Sequence, residues 1–249
     1  MKTTPSVRQE LTNILKEERA GWSSEPKEYF RMSSFGMCPK KQIAKRAGIP
    51  ETRTANIAGL FKMKIGQELH TVFQDMLEKS GATDPEWRER QVRYKSYVGH
   101  VDGKILLPTR GNTILELKTT DDSALKWDWP VHYLWQGLIY CLAAGFEQTL
   151  FVQIGKNQGL TRERVVPLTD VWKRKIITEV NRMERMWAFY EKTGKLPKCR
   201  HRFGWEDKLC SYIGLDPAPA SAKNYIGPTQ QREQGLAHDL DQMEEGFKK

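Results

Sequence analysis

Three short pieces of the chain carry residue types that do chemistry: Gly99-His100-Val101-Asp102-Gly103, Ile114-Leu115-Glu116-Leu117-Lys118-Thr119 and Gln136-Gly137-Leu138-Ile139-Tyr140. Side chains alternate along a strand, so Glu116 and Lys118 share one face and Leu115 and Leu117 the other. A carboxylate and an ammonium on an otherwise apolar strand are costly to bury unless they are paired. Asp102 falls in the preceding strand pattern, across a turn, and pairing of the two strands brings it beside Glu116. Two converging carboxylates favour a hard divalent cation, Mg2+ or Mn2+. A lysine beside them can orient an attacking water or stabilise the charge that develops in phosphoryl transfer. The same residues also read as a surface aspartate and an ordinary Glu–Lys pair, since Glu-x-Lys recurs by chance in charged chains. Gln136 and Tyr140 lie one helical turn apart and act on one location. His70, flanked by Leu69 and Phe73 on a helical pattern, reads from its surroundings alone as a core histidine.

The elements that must position these residues follow from periodicity. Residues 5–20 form an amphipathic helix with Val7, Leu11, Ile14 and Leu15 on one stripe. A second helix ends near Gly48-Ile49-Pro50. Residues 56–80 form a long helix whose packing stripe is Ile65, Leu69, Val72, Met76 and Leu77, closed by Gly81. Strands are expected over 91–98, 99–107 and 113–119, then a helix over 131–144. Two more strands, 149–154 and 162–168, flank a turn at 155–159. A last helix over 170–193 is capped by Thr169 or Asp170 and ended by Gly194. This order predicts an α/β fold, a central mixed sheet flanked by helices.

Composition bounds the rest. With 249 residues, 39% of them hydrophobic, the chain makes one substantial domain with a real core, which excludes global disorder. No apolar run approaches the roughly 18 residues of a transmembrane helix, and the N-terminus lacks a secretory apolar region. Four cysteines are too few for a disulfide scaffold, so a reducing, cytoplasmic compartment is expected. A net charge of +9 and a pI near 9.3 fit a polyanion partner. Residues 216–230 read as a linker. Residues 231–249 are acidic, with Leu236, Leu240, Met243 and Phe247 in helical register, a segment that docks on its own domain, frays in solvent or binds a protein partner.

Asp102 with Glu116-Leu117-Lys118 resembles the core of the PD-(D/E)XK nucleases. Gln136-x-x-x-Tyr140 is similar to the additional motif of their RecB-type branch, and Gly66-Gln67-Glu68-Leu69-His70 to its G-x-x-x-H helix. Four motifs in order are far more specific than any one, and they cover roughly residues 33–215. The branch includes CRISPR-adaptation nucleases and phage recombination exonucleases. The resemblance implies a restriction-endonuclease-like core over 33–215, with 1–32 a helical extension. It implies His70, Asp102, Glu116 and the Leu117 carbonyl as metal ligands and Lys118 as the catalytic lysine. Gln136 would position the lysine or the DNA, and Tyr140 would pack beside it. The activity implied is a metal-dependent DNA exonuclease of recombination, repair or phage DNA processing. A nuclease-fold DNA-binding subunit without activity and a structure-specific endonuclease are the alternatives.

Iron–sulfur members of the branch use one cysteine before the core and three after it. Cys38, Cys199 and Cys210 match three of these positions; the fourth is missing. Asp216 or His201 could complete a [4Fe–4S] or zinc site, or the three thiols could be remnants of a lost cluster. Cys141 reads as core. Basic runs at 40–46, 88–93, 162–164 and 173–175 offer a DNA-tracking groove. Trp127, Trp129, Tyr133 and Trp135, interleaved with Lys126 and His132, either stack single-stranded bases or pack their loop onto the core.

Overall fold

The computed structural model describes residues 7–20, 26–52, 56–200, 210 and 212. His201, Asp216 and the segments 216–230 and 231–249 lie outside the described residues. In chain order the elements are α1 (Val7–Ala20), β1 (Phe30–Arg31), α2 (Pro39–Arg46), α3 (Ile57–Lys79), β2 (Arg90–Tyr94), β3 (Tyr97–Val101), β4 (Gly103–Lys104), β5 (Thr113–Thr120), α4 (Val131–Ala144), β6 (Gln148–Gly155), β7 (Thr161–Pro167) and α5 (Asp170–Thr193). Among the described residues no helix is long and apolar enough to cross a membrane.

The strands form two mixed ladders. One has the order β1-β3-β2, with β1 parallel and β2 antiparallel to β3. The other has the order β4-β5-β6-β7, antiparallel at both edges and parallel between β5 and β6. Asp102 is the residue between β3 and β4, where one ladder ends and the other begins. The α/β class with mixed strands flanked by helices is therefore observed. The expected strands over 91–98 and 99–107 are divided differently. A two-residue turn at Lys95-Ser96 separates β2 from β3, with Lys95 in the left-handed region at φ 50°. No glycine or asparagine announces that turn.

Alternation on β5 splits the core in two. Ile114 faces the larger cluster, built on α4, α5, β3 and the aromatic residues Phe30, Phe35 and Tyr97. Leu115 and Leu117 face the smaller one, with Ile105, Leu150 and Ile154, which α3 covers through Phe73 and Leu77. Phe30 and Met32, which precede residue 33, are buried in the larger cluster. Helix α4 is buried almost all round, from Leu134 to Cys141, as expected of a central helix. Helix α5 buries Trp172, Ile176, Val180 and Met183 along one stripe. The Thr169 side chain caps it and Gly194 ends it at φ 66°.

The stripe expected on α3 is corrected. Ile65, Val72 and Met76 are exposed, together with Ile57 and Phe61. Leu77 of that stripe does turn inward, joined by Phe73 and Gln74. Its mixed apolar content supports two overlapping stripes, and the neighbouring strands, not the period, choose between them. The basic run 40–46 is also corrected as an open DNA surface. Lys40 is fully buried, and the Arg46 guanidinium lies 4.6 Å from the Phe30 ring and 4.0 Å from the Trp187 ring.

Candidate active site

The β4–β5 register pairs Gly103 with Leu115 and Lys104 with Ile114, so Asp102 continues the ladder opposite Glu116. Its Oδ2 accepts a hydrogen bond of 2.6 Å from the Leu117 backbone N–H. Glu116 is 1% exposed. Neither of its carboxylate oxygens accepts a hydrogen bond of good geometry, although Oε1 lies 2.5 Å from Lys118 Nζ. Lys118 Nζ donates to Gln136 Oε1 at 3.1 Å, and Gln136 Nε2 donates to the Tyr140 hydroxyl at 3.2 Å. His70 Nδ1 stands 3.8 Å from Asp102 Oδ1. The structure thus brings together His70, Asp102, Glu116, Leu117, Lys118, Gln136 and Tyr140.

Two close approaches set this geometry. At Gly137 a Cβ would collide with the Phe151 ring and come within 2.9 Å of Thr149 Cγ2. Its absence lets α4 sit on β6, where Thr149 Oγ1 donates to the Gly137 carbonyl at 3.0 Å. Gln136 is thereby held above β5. At Gly66 a Cβ would lie 3.1 Å from Thr119 Oγ1, so α3 rests directly on the end of β5 and presents His70 one turn later.

Burial dominates the electrostatics. It raises both carboxyls, against the opposing pull of Lys118, to about 7 for Asp102 and about 7 for Glu116. Burial alone would lower Lys118, but Glu116 and then Asp102 more than offset this and hold it above the usual lysine value. His70 is lowered by burial and by Lys118, so its imidazole is neutral at neutral pH. Retaining two carboxylates and an ammonium here costs several kcal/mol of desolvation per ion, which packing alone does not require.

Sequence patterning alone missed Gln74 and Glu89 and read Tyr133 only as a base-stacking or loop-packing aromatic. Gln74 lies one turn beyond His70; its Nε2 donates to the Asp102 carbonyl and to Glu89 Oε1, both at 3.0 Å. Tyr133 lies one turn before Gln136, and its ring centroid is 5.2 Å from Lys118 Nζ. Helical spacing from the motif residues is the signal that finds both. Glu89 adopts φ 49°, which nothing in the sequence announces.

Among the described residues no group of three His, Cys, Asp or Glu side chains is arranged so that it could hold a metal ion. A closed protein cage is therefore not what this site offers. Mg2+ needs less: one or two carboxylates, with waters and substrate phosphates completing the shell. Glu116, whose Oε1 meets Lys118 and whose Oε2 has no hydrogen-bond partner among the described residues, fits that requirement together with Asp102.

The cysteines form a second cluster. Cys38, the N-cap of α2, lies 3.4 Å from Cys199 between sulfurs, and Cys210 packs beside them. Contact with Cys38, burial and Cys210 raise the Cys199 thiol well above its ordinary value. Cys141 is remote, 2.9 Å from Thr149 Oγ1 and pushed up to about 12 by burial. No disulfide joins the four cysteines. Three thiols do not fit the four-thiolate ligation of an all-cysteine [4Fe–4S] cluster.

No family model and no curated protein matches this chain. Among solved structures it is similar to SSO0001, at 17% identity and a TM-score of 0.52, over 87% of this chain and 98% of that one. It is also similar to an alkaline exonuclease, LHK-Exo, from Laribacter hongkongensis, at 13% identity, and to LHK-Exo in complex with dAMP, at 12%. Both of these have a TM-score of 0.49 and cover 70% of this chain and 97% of theirs. At its identity the likeness to SSO0001 is one of fold.

Proposed function

We propose that this chain is a metal-dependent deoxyribonuclease of the PD-(D/E)XK, RecB-like type, an exonuclease of DNA recombination, repair or phage DNA processing. One observation carries the reading. A buried Glu116 carboxylate without a proper hydrogen bond sits 2.5 Å from Lys118 Nζ, with Asp102 opposite it in the β4–β5 ladder. An ordinary surface Glu–Lys pair does not reproduce that arrangement.

The residues that would hold Mg2+ or Mn2+ are Asp102 and Glu116, with the Leu117 carbonyl; His70, 3.8 Å from Asp102, would join them only on a shift of its side chain toward the ion. When bound, such a cation supplies Lewis-acid neutralisation of the phosphodiester and a lowered pKa for the attacking water. Lys118 is charged at neutral pH, so it donates to the developing negative charge and does not accept the water proton. Gln136 fixes the ammonium in place, and Tyr140 fixes Gln136. Hydrolysis breaks one P–O bond, and the leaving oxygen takes up a proton. The three-thiol cluster lies outside this chemistry; it supports a structural staple between the start of α2 and the segment after α5.

The test uses end-labelled linear DNA, single- and double-stranded, with Mg2+, Mn2+ or EDTA. Metal-dependent release of label that the Glu116→Gln variant lacks is expected. Binding without cleavage under every metal would leave a nuclease-fold DNA-binding subunit, and cleavage of closed circles would indicate an endonuclease.

A further inference from the structure

We infer that Trp127 is a base-stacking platform that selects single-stranded DNA for the Glu116–Lys118 site. The inference rests on the nuclease reading above. Of the aromatic residues between 127 and 135, the structure separates one from the rest. Trp129 is buried at 8% exposure, Trp135 packs edge-on against Phe35 and Trp172, and Tyr133 lies over Lys118. Trp127 is 73% exposed, the most exposed large apolar side chain among the described residues.

This exposure is not slack. The Trp127 N–H donates to the Ala124 carbonyl at 3.2 Å. Arg162 Nη1 donates to the carbonyls of Trp127 and Leu125, and the Arg162 guanidinium stacks on Trp129 at 4.6 Å. Asp122 Oδ1 accepts the Asn157 N–H at 3.2 Å, tying the loop to the β6–β7 turn. An indole whose backbone is fixed in advance loses little conformational entropy when a base stacks on it.

The loop is also in the right place. It runs from the end of β5, the strand of Lys118, to the start of α4, whose first turn carries Tyr133. Lys62, Lys126, Lys156, Arg162 and Arg164 belong to the same neighbourhood, against Asp121, Asp122 and Asp128. Asp121 pairs with Lys62 at 3.8 Å, Asp128 acts on Arg162, and Asp122 is taken by Asn157. The balance left for a backbone of phosphates is positive. Stacking needs an open base face, which a single strand offers and a duplex interior withholds. It also tolerates any sequence, because every base has such a face.

The test measures binding by fluorescence anisotropy with labelled single- and double-stranded oligonucleotides. The full chain carrying Glu116→Gln is compared with Glu116→Gln/Trp127→Ala and Glu116→Gln/Trp127→Phe. Alanine should weaken single-strand binding by roughly 5- to 150-fold, the range for loss of one stacked base, with duplex binding changed less than about twofold. Phenylalanine should retain most of the affinity. Tryptophan fluorescence quenched by oligo-dT should lose a component in the phenylalanine variant. Equal losses on both DNA forms, or none on either, would overturn the stacking role while leaving the nuclease reading intact. If the Glu116→Gln parent binds no DNA, the nuclease reading falls and the stacking role with it.

Discussion

Removing one charge from the Glu116–Lys118 pair has two separable consequences, because the pair is both expensive and useful. Lys118→Ala leaves Glu116 in the same buried place without its nearest cation, so the carboxyl stays protonated further into the alkaline range. Loss of a positioned electrostatic donor costs about 10²–10³-fold in rate, and single-turnover cleavage should fall at least that far. Gln136→Ala leaves both charges in place and should cost about 10-fold, a tenth of the lower bound for losing a donor outright. The folding signature of the acidic pair is unusual in sign. Asp102 and Glu116 are raised to about 7 in the folded chain, above ordinary carboxyl values. Between roughly pH 4 and 7 the folded state therefore holds more protons than the unfolded state, and stability falls as pH rises through that window. The melting temperature of the metal-free protein should drop from pH 5 to pH 8. Mg2+ should restore more of it at pH 8 than at pH 5.5, and an Asp102→Asn/Glu116→Gln variant should flatten the slope. A melting temperature that rises over the same window would refute the buried-pair account. Alternation made the shared face of Glu116 and Lys118 legible in the sequence, and strand order made Asp102 legible. Glu89 was not, because a left-handed glutamate leaves no mark in residue type.

Periodicity read the elements well where one face was buried and poorly where two were available. Helix α5 buries one apolar stripe, Trp172, Ile176, Val180 and Met183, and its cap and its glycine end were both legible in advance. Helix α3 has apolar residues on two stripes, and Ile65, Val72 and Met76 of the expected one face outward while Leu77 packs inward. The two ladders meeting at Asp102 were illegible for a different reason: a break in strand pairing depends on backbone direction, not on residue type. Gly137 illustrates what an element contributes to the site. It is the contact through which α4 rests on β6 and holds Gln136 over Lys118. Gly137→Ala pushes a methyl into the Phe151 ring, an overpacking cost of about 1–3 kcal/mol. The melting temperature should fall by roughly 2–12 °C for a chain of this size. Cleavage should fall by more than the unfolded fraction explains, because the helix is displaced beside its catalytic face. Gly137→Ala cleaving at the wild-type rate while losing stability would show that α4 merely fills space.

The whole molecule carries a net charge of +9, and among the described residues several cations are taken up inside the fold rather than offered to a polyanion. Lys40 is buried, Arg46 lies against Phe30 and Trp187, Arg88 is paired with Asp75 and Glu78, and Arg182 with Glu179. Arg46 joins α2 to α5, Arg88 ties the segment before β2 to α3, and the Arg182 pair lies within α5. The cations around the site are Lys62, Lys126, Lys156 and Arg164, while Arg162 is taken up by Gln153 and the 125–127 loop. A single strand held by four or five phosphate contacts should show a log–log salt slope of about −3, weakening roughly 10²-fold between 50 and 200 mM salt. Binding isotherms of the Glu116→Gln variant over that salt range read the slope directly. Replacing Lys126 and Lys156 together should remove between one and two from it, whereas replacing Arg88 should lower the melting temperature and leave the slope alone. A slope nearer −6 would require phosphate contacts from further exposed cations, such as Arg90, Arg93, Lys173 and Arg174.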